Sequence, residues 1–215
     1  MLDLSLRQIL ILVPTILVAL TIHELSHASV SLILGDDTAK RMGRITINPL
    51  KHVDPIGFLM LVSCGCGWAK PVIFSRQNLR HPYRDEILIA FAGPVSNLIL
   101  AFIGVLLIRV GVFVREAADP DALRVYLEIL TSFTTINIAL AVFNSIPLPP
   151  LDGSHIFAKF LSSRESKAAL IFARYGGTLL IALILIERLT GLDVFPMGRI
   201  VDAVFSLMLR IVGLM

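Results

Sequence analysis

Residues 9–22 read ILILVPTILVALTI without a charge, residues 23–27 read His23-Glu24-Leu25-Ser26-His27, and apolar character resumes in ASVSLILG at 28–35. A bilayer-spanning helix needs about 20 predominantly apolar residues. The stretch therefore predicts a first membrane span from about Leu6 to Leu34, ended by Gly35-Asp36-Asp37. Within it, two histidines four apart share one helix face and can bind one metal ion. The glutamate beside the first is placed to act as a base toward water activated by that metal. A charged side chain at the bilayer centre costs about 2.5–3.5 kcal/mol on insertion scales, so such a group marks a functional site by default.

The rest of the chain agrees with a membrane setting. It has 215 residues, 56% hydrophobic and 16% charged, with a net charge of +3, and a mean hydropathy of +0.83. Soluble domains carry about 25% charged residues. The composition predicts an all-α polytopic membrane protein of about five to six transmembrane helices in a single domain over 1–215. The small positive charge is explained by basic residues at a membrane surface and calls for no nucleic acid. Nothing resembles a cleaved signal peptide, because the N-terminal apolar run carries the metal motif.

Between the first and second spans, residues 38–55 (TAKRMGRITINPLKHVDP) alternate and carry turn signals at Asn48-Pro49 and Asp54-Pro55. Short strands or a hairpin are expected there, with 40–48 as an edge on which an extended substrate could pair. Residues 56–63 are apolar but too short to cross, which suggests a re-entrant or interfacial segment. Further spans are expected at about 86–114, 123–143, 168–186 and 194–212. A shorter helix is expected from Asp152 to about Leu161. Cys64 and Cys66, one residue apart, are too close for an ordinary disulfide. They read as reduced thiols or as a second metal or redox site.

Charge placement orients the chain. Lys40, Arg41, Arg44, Lys51, Lys70, Arg76, Arg80, Arg84, Lys159, Arg164 and Lys167 fall on one side of the predicted spans. The opposite connections hold Arg115 and Arg188 among five acidic residues. The excess of Lys and Arg assigns the first side to the cytoplasm. His23 and His27 then lie in the cytoplasmic half of their span.

A catalytic zinc usually has three protein ligands and one open position. Candidates for the third are His52, His81, His155, Asp54, Asp85, Glu86 and Asp152. Asp152 follows Asn144-Ser-Ile-Pro147-Leu-Pro149-Pro150-Leu151 and precedes Gly153. Prolines that stop a helix at membrane depth are tolerated where the chain lines a cavity or is buried. Asp152 is equally well explained as a plain helix N-cap.

These motifs together resemble the site-2 protease family of intramembrane zinc metalloproteases, in a compact form without a PDZ insertion. HELSH matches the family's H-E-x-x-H, NSIPLPPLDG (144–153) its N-x-x-P-x-P-x-L-D-G, and AGPVSN (92–97) the G-x-x-x-N of its middle core helix. The resemblance covers a three-helix core and implies a catalytic unit over 6–162, with 163–215 as additional helices. It implies one zinc ion on His23, His27 and Asp152, with Glu24 as the general base. It also implies a position near the active site for Asn144, which would hold substrate or the oxyanion. Gly93 and Asn97 would shape the middle helix, or serve close helix packing. His52 would lie near the site or face substrate, or be a solvated loop histidine. The implied substrate is a membrane-anchored protein, cut in or near its transmembrane segment from the cytoplasmic side of a multi-pass cell-membrane enzyme. A homo-oligomer or a regulatory membrane partner stays open. The competing function is a non-proteolytic membrane metal-binding protein or metal transporter.

Overall fold

The structure is a computed structural model and describes residues 5–64, 67–158 and 167–215. It is all-α. Helix α1 spans Leu6–Ile33, α2 Thr38–Arg41, α3 Pro55–Cys64, α4 Pro82–Phe113, α5 Pro120–Asn144, α6 Gly153–Ala158, α7 Lys167–Thr190 and α8 Met197–Ile211. Among the described residues, four helical segments are long and apolar enough to cross a membrane: Leu6–Ile33, Pro82–Phe113, Pro120–Asn144 and Leu170–Thr190.

The helix starts follow from local chemistry. Ser5 caps α1 in a capping box, its hydroxyl accepting from the Gln8 amide while Gln8 Oε1 accepts from Ser5 N–H at 2.8 Å. This satisfies donors that a helix end leaves orphaned. Pro82 and Pro120 stand at the first positions of α4 and α5, where a missing N–H costs nothing. Both helices therefore begin a few residues before their hydropathy rises. The Asp119 carboxylate accepts from the Ala122 amide at 2.8 Å and caps α5. Inside α1, the hydroxyls of Ser26 and Ser29 donate to the carbonyls of Ile22 and Leu25, each at 2.7 Å. Both hydroxyls are thereby satisfied within the helix itself.

Helix α4 packs against both α1 and α5, and α1 also touches α5. Ala19, Ala28, Ala101, Val105 and Ile138 are fully shielded in this three-helix unit. The fourth long helix, α7, meets the segment after α5, where a Cβ on Gly176 would overlap the ring of Pro149.

Two expectations change. First, the segment expected to span at 194–212 is α8, of 15 residues. At about 1.5 Å per residue it reaches about 22 Å, short of a hydrocarbon core of about 30 Å. It is amphipathic instead: Val201 is buried against Ala101 and Ile138, while Arg199, Asp202 and Arg210 are exposed. Arg109 of α4 donates to the Val212 carbonyl at its C-terminal end.

Second, no strand forms among the described residues between α1 and α4. An isolated antiparallel bridge joins Val53 and Ala69. The cause is competition for backbone acceptors. The Arg44 guanidinium takes the carbonyls of Lys51 and Lys70, and His52 Nε2 takes that of Thr46 at 2.7 Å. A ladder would need such groups. The expected edge at 40–48 is thus partly α2 and partly turns, and the short apolar segment at 56–63 lies within the helix α3. The pairing of Cys64 with Cys66, and the end of the helix after Asp152, lie outside the described residues.

Candidate active site

Position 23 to position 27 is one turn of α1, so both imidazoles leave the helix on the side facing α4. His23 Nε2 and His27 Nε2 are 3.1 Å apart. Asp152 Oδ2 lies 3.1 Å from the first and 3.3 Å from the second. Two nitrogens and an oxygen bound to one zinc at about 2.0–2.2 Å in a tetrahedron would be separated by about 3.3 Å. The three atoms present therefore fit that ion, and His23, His27 and Asp152 are the grouping among the described residues able to hold a metal. The Asp152 oxygen that a pure N-cap would turn to its own helix is aimed at the histidines. Both histidines are buried, at 4% and 7% exposure.

Ring orientation is set from behind. His23 Nδ1 lies 2.6 Å from Asn97 Oδ1 on α4, and His27 Nδ1 lies 2.6 Å from the Ile89 carbonyl. Both partners accept, so each Nδ1 carries the proton and each Nε2 keeps its lone pair for a metal. Asn97 is held in turn. Its Nδ2 donates to the Ala19 carbonyl at 3.2 Å and to Asn137 Oδ1 at 2.9 Å, and Asn137 Nδ2 donates to the Phe133 carbonyl at 2.8 Å. Asn97 and Asn137 are fully buried. Gly93 lies one turn before Asn97, and a Cβ there would overlap Nε2 of both histidines. Only hydrogen fits.

The segment carrying Asp152 is shaped by sequence. After Asn144 the chain turns through Pro147, Pro149 and Pro150, with a cis Pro149–Pro150 peptide. A Cβ on Gly153 would collide with the backbone carbonyls of Ser145 and Ile146. Glycine there lets α6 begin directly after Asp152. Glu24 is 7% exposed and lies within electrostatic reach of His27, His23 and Asp152.

The other sequence candidates lie elsewhere. Asp54 accepts from the amides of Ile56 and Gly57 at the start of α3. Asp85 accepts from the His81 amide at 2.8 Å. Glu86 pairs with Arg76 and with His155. Asn144 Nδ2 donates back to the Leu140 carbonyl at 3.0 Å. His52 is fully buried and no solvated loop residue. Its Nε2 is engaged by Thr46, and its Nδ1 has no hydrogen-bond partner. Burial holds its pKa below the ordinary histidine value, and the Arg44 charge adds to this against the Thr46 contact. It does not join the cluster of His23, His27 and Asp152.

Sequence reasoning missed Asn137. The available signal was an amide inside a predicted span, seven residues and hence two turns before Asn144 on one face of α5. Arg44 was read only as a surface charge. It is 3% exposed and within reach of the Glu24 charge.

Known proteins supply an independent comparison. Residues 11–186 match the profile described as peptidase family M50. The chain is 44% identical over 149 residues to "Putative zinc metalloprotease YwhC" of Bacillus subtilis (strain 168), covering 67% of this chain and 66% of that protein. It is 29% identical over 175 residues to "Putative zinc metalloprotease Rip2" of Mycolicibacterium smegmatis (strain ATCC 700084 / mc(2)155), covering 79% of this chain and 64% of that protein. The matched chain thus spans about two thirds of the length of these relatives. No solved structure matches.

Proposed function

The chain belongs to peptidase family M50, and from that premise we propose that it is a zinc metalloendopeptidase that cleaves membrane-anchored proteins in or near their transmembrane segments. The observation that carries this reading is the meeting of Asp152, in the turn before α6, with His23 and His27 on a helix apolar enough to cross a membrane. His23, His27 and Asp152 would hold one zinc ion. When bound, zinc polarises a peptide carbonyl and makes water acidic enough to lose a proton near neutral pH.

The chain's own groups do the remaining work. Glu24 accepts the proton of the attacking water and returns it to the leaving amine. Asn97 and the Ile89 carbonyl hold the two imidazoles in the protonation state that binds metal. Gly93 lets α4 approach the two imidazoles closely. The apolar helices limit water to what reaches the site, on the charge assignment, from the cytoplasm. The catalytic unit is assigned to 6–162, with 163–215 appended, and the cell membrane is the location. The substrate is a membrane-anchored protein, as in regulated intramembrane proteolysis.

The test is a membrane-tethered reporter incubated with the purified protein, with and without a zinc chelator. Cleavage should depend on zinc. The Glu24→Gln variant should keep one zinc per chain and lose at least about 100-fold in rate. Normal cleavage by Glu24→Gln would remove the base assignment. Zinc uptake into vesicles without cleavage would point to transport.

A further inference from the structure

A third histidine stands beside the candidate metal centre, outside the chemistry described so far. His155 lies three residues after Asp152 on the first turn of α6, and its backbone N–H donates to the Asp152 carbonyl at 3.0 Å. Its Nδ1 is 2.9 Å from Glu86 Oε1, and the other oxygen of Glu86 accepts from Arg76. Glu86 is 4% exposed, whereas the His155 side chain is 40% exposed. A buried carboxylate, fixed by an arginine, thus holds a half-open ring.

The ring is anchored from α4. Glu86 precedes Gly93 by seven residues, two turns on one helix face. Gly93 is the position at which a Cβ would overlap both histidines. His155 thus stands one turn beyond Asp152, at the start of α6, with its ring tied to α4 through Glu86. A carboxylate can only accept, so in this pair Nδ1 carries the proton. A ring protonated at Nδ1 alone presents Nε2 as an acceptor. An extended peptide brings backbone N–H groups that need such acceptors, and the 40–48 stretch offers no strand edge to supply them.

We propose that His155 is a substrate-binding residue whose Nε2 accepts a hydrogen bond from a backbone N–H of the peptide chain crossing Asp152. Glu86 is its positioning residue, aiming the ring through Nδ1. The assignment rests on the protease reading above and names how that site grips its substrate.

The experiment uses full-length, zinc-loaded protein in detergent and two probes, a Leu-Leu hydroxamate and the same compound N-methylated at its internal amide. The hydroxamate anchors on zinc, so affinity is read without turnover. The wild type should bind the N–H probe about tenfold more tightly than the N-methyl probe. In His155→Asn the side-chain amide can still donate to Glu86 but ends short of the Nε2 position. This variant should bind both probes alike while retaining one zinc per chain. His155→Gln, which extends to that position, should regain part of the preference. Equal preference in the wild type and His155→Asn, or none in the wild type, would overturn the assignment. If His155→Asn loses its zinc, a full loss of preference in zinc-retaining His155→Gln would also count against it. Failure of the zinc-loaded wild type to bind either hydroxamate would overturn the protease reading itself, and this assignment with it.

Discussion

At the scale of single residues, Asn97 shows how the site is kept in one state. Both of its amide hydrogens are engaged, one by Ala19 and one by Asn137. Its oxygen must therefore face His23, and His23 must carry its proton on Nδ1. Rotation of this amide would set a donor against a donor. Partners of this kind are worth about 10–100-fold in metal affinity. Asn97→Ala should accordingly weaken zinc binding by that order in a chelator competition, with far-ultraviolet helicity retained. Asn137→Ala should weaken it less, because it acts one bond further away. Equal zinc affinity in Asn97→Ala and wild type would show that the histidines orient themselves.

At the scale of elements, the join between α1 and the segment leading to α4 depends on one carboxylate. Asp36 is fully buried at the end of α1. Burial works against its charge, but hydrogen bonds from Thr38, from Asn78 and from the Ser75 amide outweigh that and bring its pKa down to about 2. Its ordinary value is near 3.9, so the folded state favours the charged form. The sign follows. The stabilisation is fully present above about pH 4 and is lost as pH falls toward 2, with a total on the order of 2 kcal/mol. A melting curve recorded down this range should show the wild type losing stability. Asp36→Asn, already weakened at pH 7, should lose less over the same interval. Parallel acid profiles for the two proteins would remove Asp36 from the account.

How much of each element was legible varies for physical reasons. Hydropathy marked α1, α4, α5 and α7, because a span of 20 apolar residues has few other fates. It did not mark the first turns of α4 and α5, where Pro82 and Pro120 start a helix before it becomes apolar. It also misjudged α8, because Val201, Val204, Phe205 and Met208 form one apolar stripe whose period is visible while its depth is not. The alternation of Arg44-Ile-Thr-Ile47 suggested strands. Strands need partners, and the nearby backbone acceptors are taken by Arg44 and His52.

At the scale of the whole molecule, the charge asymmetry makes a topological prediction. In a chain with Cys64 and Cys66 replaced by serine, Lys51→Cys should react with an impermeant maleimide only after the cell is opened. Glu116→Cys should react in intact cells. Both positions are exposed in the structure. The reverse labelling would place the candidate site toward the outside, and substrates would then have to come from that face.

The sequence by itself determined the apolar spans, the helix carrying His23, Glu24 and His27, and the proline-rich break that releases Asp152. Each of these is a local property, since periodicity, propensity and composition act within a few residues. The tertiary structure alone decided that Asp152 meets histidines 129 and 125 positions away. It also decided that Asn137 backs Asn97, and that Glu86 pairs with Arg76 and His155. Those contacts depend on how α1, α4, α5 and α6 are rotated and seated against one another. Close approaches at Gly93 and Gly153 fix that packing, and no pattern along the chain encodes it.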